Sequence, residues 1–346
     1  MRIGLRCDAH PAMGVGHLVR QLALAEEFGS RGDQVVLLGD ASGVPWAMGQ
    51  VAARGLRMTD AIGPHGFADQ CLALGLDAVM LDGYHLPPAL GAGLRAARIP
   101  TATMVDGPFG LDQIADLYVD QNLGAVVAPE VLASGARMLV GPHYALLRNV
   151  VLARREATAA RWAAGPVGRP RVLVVFGGTD AFGGCAVLVP LILATGLPVD
   201  VIAVAARPEV AEALGALVPG PEQSVEAIPP VDDLAALLVT CDAAISAAGT
   251  SVWELLCLGV PTGVVCVTDN QRVGYDVVAE SGVCLGVGML EELRARPAAD
   301  DAGIDVLRRL IGDAALRSRL SSAGLATVDG CGRVRVADAI AALVRG

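Results

Sequence analysis

The chain has 346 residues, 53% of them hydrophobic, and 26 basic against 36 acidic side chains give it a formal net charge of −10. Domains run to roughly 100–200 residues, so this length calls for two hydrophobic cores. The acidity, with no basic run or aromatic-rich basic face, speaks against nucleic acid as a partner, and no stretch reaches the roughly 18 apolar residues of a membrane span.

The N-terminus opens directly into a strand-like run, Arg2 to Arg6, without the regions of a signal peptide. Eight scattered cysteines form no CxxC pair. Both point to a cytoplasmic protein with free thiols and against a zinc site. Further runs of strand length follow at Val35 to Leu38, Ala78 to Leu81, Thr101 to Val105 and Leu117 to Val119. After a charged, Ala-rich segment come Val172 to Phe176, Val199 to Val204, Ala243 to Ser246 and Gly263 to Val267. Helical stretches separate them, the pattern of parallel sheets covered on both faces. The reading is an α/β chain of two Rossmann-like domains: 1–150, a linker helix at 151–168 ending in Gly165, Pro166, Gly168 and Pro170, and 169–346. The apolar helix Val334 to Val344 is free to pack on either domain.

Each half starts with a strand, a glycine turn and a helix. Ligands of open α/β sheets bind beyond the carboxyl ends of the strands, so two such units facing each other would hold one ligand between them. In the first half, Arg6-Cys7-Asp8 leads to Gly14-Val15-Gly16-His17 and the helix Leu18 to Phe28. This GxG lacks the third glycine of a dinucleotide fingerprint, which argues against NAD. A histidine in a first helical turn feels the positive end of the dipole, which favours neutral imidazole, a base. A loop-bonding structural histidine is an equally good reading of the spacing. His85 and His143 are weaker candidates beside other motifs.

In the second half, Gly177-Gly178-Thr179-Asp180 ends the first strand. Paired glycines admit a diphosphate to the backbone and the hydroxyl can donate to it, although an ordinary tight turn has the same signature. Ser246 to Glu254 reads as strand, small-residue turn and helix start. Gly249, Thr250 and Ser251 would bind an anion and Glu254 a ribose, while Ser251 and Glu254 equally match a capping box. Asn270 and Gln271 suit sugar hydroxyl or acetamido groups, or simply a turn. Asp82-Gly83-Tyr84 and Gly141 to Arg148 complete the set.

Together these motifs resemble one family, the hydrolases that release UDP from UDP-2,4-diacetamido-2,4,6-trideoxy-β-L-altropyranose in pseudaminic acid biosynthesis, with their spore-coat polysaccharide relatives. The resemblance spans nearly the whole chain. It rests on Arg6-x-Asp8 followed by Gly14-x-Gly16-His17-x-x-Arg20, on Asp82-x-Tyr84, on Ala115-Asp116 leading to Gln121-Asn122, on GPxYxLLR from Gly141, on GGTD from Gly177, on SAAGTSxWE from Ser246 with LGVP, and on Asn270-Gln271. It implies a GT-B fold, no cofactor and no essential metal. It further implies His17 as catalytic base with Asp8 beside it, and a sugar oriented by Arg6, Gly14, Gly16, Tyr84, Asn270 and Gln271. UDP would lie on Gly177, Gly178, Thr179, Gly249, Thr250, Ser251 and Glu254. Three departures, Val105-Asp106-Gly107 in place of a paired acidic dipeptide, Gln21 in place of a frequent cysteine, and Asn149 to Val151, bear on the sugar. They leave open a different amino sugar, or a GT-B glycosyltransferase whose acceptor is a hydroxyl other than water.

Overall fold

The computed structural model describes residues 1–11, 13–164, 168–295 and 302–345, without the side chains of 162–164 and of Asn270. The chain divides into two compact units, Met1–Asn149 with Gly330–Gly346, and Val150–Asp329. The first holds strands β1 (Arg2–Arg6), β2 (Gln34–Leu38), β3 (Met58–Thr59), β4 (Ala78–Leu81), β5 (Thr101–Met104), β6 (Leu117–Asp120) and β7 (Arg137–Val140), in the order β3-β2-β1-β4-β5-β6-β7. The second holds β8 (Arg171–Val175), β9 (Val199–Val204), β10 (Gln223–Ile228), β11 (Ala243–Ala247), β12 (Thr262–Cys266) and β13 (Leu285–Met289), in the order β10-β9-β8-β11-β12-β13.

Every strand pair is parallel. Parallel strands need helical crossovers, which bury both faces of the sheet, and the central strands are accordingly continuous apolar runs such as Ala78–Leu81 and Thr262–Cys266, buried at every residue. Strand order reverses between β1 and β4 in one sheet and between β8 and β11 in the other, so each has a switch point where neighbouring crossovers diverge.

The helix expected as a linker falls differently from the sequence reading, and the final helix, open to either domain there, joins the first unit. The described part of the expected linker, including the helix Arg155–Ala164, belongs to the second unit. Arg155 donates to the carbonyls of Cys257, Leu325 and Val328 at 2.5, 2.8 and 2.7 Å, and Arg161 to Asp242 at 2.7 Å. Gly165 and Pro166 lie outside the described residues. The second unit stops at Asp329 rather than at the end of the chain, because the final helix, Gly332–Arg345, buries Val336, Ala337 and Ile340 in the core that holds Leu18, Leu22 and Phe28. Gly332 is required there: a Cβ would stand 2.3 Å from the Ala145 carbonyl oxygen.

Candidate active site

The carboxyl ends of β1, β4, β5 and β6 gather the first unit's polar residues. The first helix, Gly16–Ser30, runs from the Gly14–Gly16 turn with Val15 at its N-cap and no side-chain cap. Gly14 takes φ of 84°, and its N–H donates to the His10 carbonyl at 2.7 Å, which turns the chain sharply into the helix. His17, Arg20 and Gln21 then share one helical face, as positions three and four apart do. All three are buried, and that face meets Asp82, the residue following β4.

The Asp82 carboxylate is saturated. His17 Nδ1 lies 2.8 Å from Oδ1, Arg20 Nε donates to Oδ2 at 2.6 Å, Gln21 Nε2 donates to Oδ2 at 2.8 Å, and Arg20 Nη2 donates to Oδ1. An ionised carboxylate only accepts, so Nδ1 of His17 carries a hydrogen toward it. Burial alone would raise the Asp82 carboxyl, but the Arg20 charge and His17 hold it well below the usual carboxylate range. Tyr84 stands edge-on to the imidazole, centroids 4.6 Å apart and planes at 85°. Its hydroxyl donates to Asp106, whose other oxygen accepts from Asn122 Nδ2 at 3.0 Å. Burial first, then Asp106, push the Tyr84 phenol up, so it stays a donor. Phe109 is tilted against Tyr84 at 4.4 Å.

Asp8 is placed elsewhere. Its oxygens take Arg6 Nη1, His85 Nε2 and the Asp40 N–H, each at 2.7 Å, and with Asp40, His10, Met13 and His85 it lines an open pocket of about 570 Å³. Although burial opposes it, the Arg6 bond leads the contributions that hold Asp8 below its ordinary value. The close packing here forbids a side chain on Gly39, whose Cβ would lie 1.9 Å from the Cys7 carbonyl oxygen. Of the residues expected to act on the sugar, the structure thus joins His17 to Tyr84, and Arg6 to Asp8 and His85. The carboxylate on His17 is Asp82, and Arg20, Asp106 and Asn122 complete its surroundings. The signals for Asp82 and Arg20 are present in the sequence, as Asp82-x-Tyr84 after a strand and as the third residue after His17; that Arg20 and Gln21 meet on the Asp82 carboxylate emerges only from the fold.

In the second unit the expected nucleotide residues also lie at the switch point. Gly177, with φ of 67°, Gly178 and Thr179 follow β8, and the two glycines are exposed. Asp180 turns away: its carboxylate accepts the N–H groups of Gly184 and Cys185 at 2.7 and 3.2 Å and so caps the helix Gly184–Leu193. Gly249, Thr250 and Ser251 follow β11. Thr250 is the N-cap of the helix Ser251–Cys257 and makes no side-chain cap bond, so the capping box read on Ser251 and Glu254 is not formed around Ser251. Glu254 sits in that helix's first turn. Gln271, after β12, brings its Nε2 to 3.5 Å from the position of a Cβ on Gly249, while its Oε1 accepts from Val267 N at 3.3 Å. Asn270 shares this turn, its side chain lying outside the described part of the structure.

No protein-family profile matches the chain. Among curated proteins it is similar to the spore coat polysaccharide biosynthesis protein SpsG of Bacillus subtilis, 33% identical over 105 residues; the match spans 30% of this chain and 30% of that protein. Among solved structures, MurG of Acinetobacter baumannii superposes with a TM-score of 0.72 at 15% identity, over 98% of this chain and 99% of MurG. The glycosyltransferase SnogD of Streptomyces nogalater gives 0.63 at 19% identity over 99% of each chain. A complex of Staphylococcus aureus MnaA with UDP gives 0.61 at 13% identity over 97% of this chain and 94% of MnaA. At these identities the likeness defines the fold alone: two parallel-sheet, Rossmann-like units of the GT-B fold.

Proposed function

We propose that this protein is a nucleotide-sugar hydrolase that releases UDP from a UDP-diacetamido-trideoxyhexose. His17 Nε2 takes a proton from water as the water oxygen bonds to the anomeric carbon. The bond from that carbon to the diphosphate oxygen breaks, and its electron pair leaves on UDP. The observation that supports this reading is the Asp82–His17 bond of 2.8 Å, through which Asp82 would hold the hydrogen on Nδ1 and leave Nε2 to act as the base. Amides around Gly177, Gly178, Gly249 and Thr250, with the hydroxyls of Thr179 and Ser251, would take the charge that develops on the diphosphate. Glu254 would hold the ribose, and Arg6, Asp8, Tyr84, Asn270 and Gln271 would orient the sugar, with Gly14 and Gly16 shaping the turn beneath it. The similarity to SpsG supports a role in polysaccharide precursor chemistry, and the fold shared with UDP-bound MnaA supports the nucleotide.

The fold shared with SnogD favours a second reading, a glycosyltransferase in which His17 activates an acceptor hydroxyl. The two separate on UDP release from UDP-diacetamido-trideoxy sugars, measured with chelator and without acceptor. Wild type is expected to release UDP, and His17→Ala to lose about 10² to 10⁴ in rate while still binding UDP. Binding without release by wild type would reject hydrolysis and favour transfer.

A further inference from the structure

Among the described residues, Arg20 is the one cation that touches both members of the Asp82–His17 pair. Its Nε and Nη2 engage the two oxygens of Asp82 as a fork, and Nη2 also lies 3.0 Å from His17 Nδ1. The side chains of Arg20 and Asp82 are 5% and 0% exposed, so solvent does little to screen these charges. We propose that Arg20 is a positioning residue with two effects on the base: it fixes the carboxylate that holds Nδ1–H, and its charge offsets that of Asp82 so that the imidazole is not kept in its doubly protonated form. The inference rests on His17 being the base of the proposed reaction, but its physical core concerns the imidazole alone.

In so buried a site, weakly screened charge governs the ring. A lone buried carboxylate against a histidine stabilises imidazolium, which cannot accept a proton from water. With Arg20 present the Arg20–Asp82 pair is neutral, and a second proton on His17 would place a new positive charge 3.0 Å from a guanidinium nitrogen. The other groups facing this cluster do not substitute for Arg20. Cys7 at the end of β1 is a thiol pushed up by burial and by Asp82, and Tyr84 is a neutral donor. Asp106 beyond β5 and Asp120 at the end of β6 are further acids, and both interact with Arg20. Removing Arg20 therefore leaves the Asp82 anion without this countercharge, which favours imidazolium. Gln21 donates one neutral hydrogen bond to Asp82 and cannot balance its charge.

The test is a pH titration of the His17 ring by NMR on selectively labelled histidine, with His17→Asn to identify its signals among the five histidines. In wild type the singly protonated ring, with hydrogen on Nδ1, should persist to lower pH than in Arg20→Gln, where double protonation should begin about one pH unit or more higher. Arg20→Lys keeps the charge but not the fork, so its ring should titrate with wild type. Equal titration of wild type and Arg20→Gln overturns the proposal, as does a Lys variant displaced as far as the Gln variant. If Arg20→Gln does not fold, Arg20→Lys decides alone: agreement with wild type within about half a unit supports the charge role, and a larger displacement overturns it. UDP release gives a parallel readout. The acid limb of kcat should move to higher pH in Arg20→Gln with KM little changed, and kcat in Arg20→Lys should fall about tenfold on the same acid limb. Failure to detect UDP release from any donor would reject the hydrolase reading and leave the NMR result to judge Arg20.

Discussion

At the scale of single residues, the first unit biases two buried carboxyls in opposite directions within a short stretch of sheet edge, Asp82 toward the anion and Asp120 toward the acid. Asp82 is tied to Arg20 and His17, whereas the carboxyl of Asp120, also buried, accepts the Asn122 N–H. Burial pushes Asp120 up from 3.8 to about 6; the Asn122 bond opposes this and Asp106 adds to it. A carboxyl raised in the folded state contributes stability that is complete below its unfolded value, near 4, and is lost as pH rises through about 6. Above that pH, holding the buried anion costs up to about 3 kcal/mol, two units at 1.36 kcal/mol each. Asp120→Asn is therefore expected to raise the urea midpoint at pH 7 to 8 and to leave it unchanged at pH 4. A gain that persists at pH 4 would assign the effect to packing rather than ionisation.

The same contrast shows what the sequence could and could not disclose of the site. His17 was legible because a histidine directly after a glycine turn and ahead of an apolar helix has a defined place in the dipole. Asp8 and Asp82 both follow central strands, and nothing in linear spacing says which reaches His17. The sheet order decides it, since β1 and β4 are neighbours and the helix after β1 crosses to lie over Asp82. Asp106 and Asn122, 16 residues apart in sequence, meet for the same reason: β5 and β6 pair in register.

At the scale of elements, the nine strand-like runs read from the sequence all correspond to strands, and the four unread ones, β3, β7, β10 and β13, are the edges of the two sheets. An edge strand is covered less fully, so its sequence loses the unbroken apolar run: β10 reads Gln-Ser-Val-Glu-Ala-Ile, with half its residues exposed. β13 carries glycines at 286 and 288 and meets a register irregularity between Val264 and Val265. The final helix was legible as a helix but not as a member of the first unit, because an apolar stripe does not name its partner. Its central contact is testable. Ile340 is fully buried against the first core, so Ile340→Ala should cost about 2–5 kcal/mol in the first unit's denaturant unfolding. A cost below about 1 kcal/mol would mean that the helix contributes little to that core.

At the scale of the whole molecule, the first unit is assembled from segments on both sides of the second. Its two crossing points converge on one side chain: the N–H of Asn149 and Nη1 of Arg333 reach the same oxygen of Glu26 at 2.5 and 3.2 Å. A short glycine-rich link from Asn149 to Gly330 should then close the first unit without strain, since few residues suffice to span such a gap. The core around Val172, Ile202 and Leu307 is built within Val150–Asp329, which argues that this segment also folds alone. Three proteins follow: the isolated segment Val150–Asp329, the linked first unit, and Met1–Asn149 without the final helix. The first two should melt cooperatively by circular dichroism. The third should not, because Leu18, Leu22 and their neighbours lose the buried face of Val336, Ala337 and Ile340. If the nucleotide lies on the loops after β8, β11 and β12, calorimetry should find UDP bound by Val150–Asp329 within about tenfold of the intact chain, a difference of 1.4 kcal/mol or less. A well-folded segment that does not bind UDP would move the nucleotide off those loops and remove Glu254 from its proposed role.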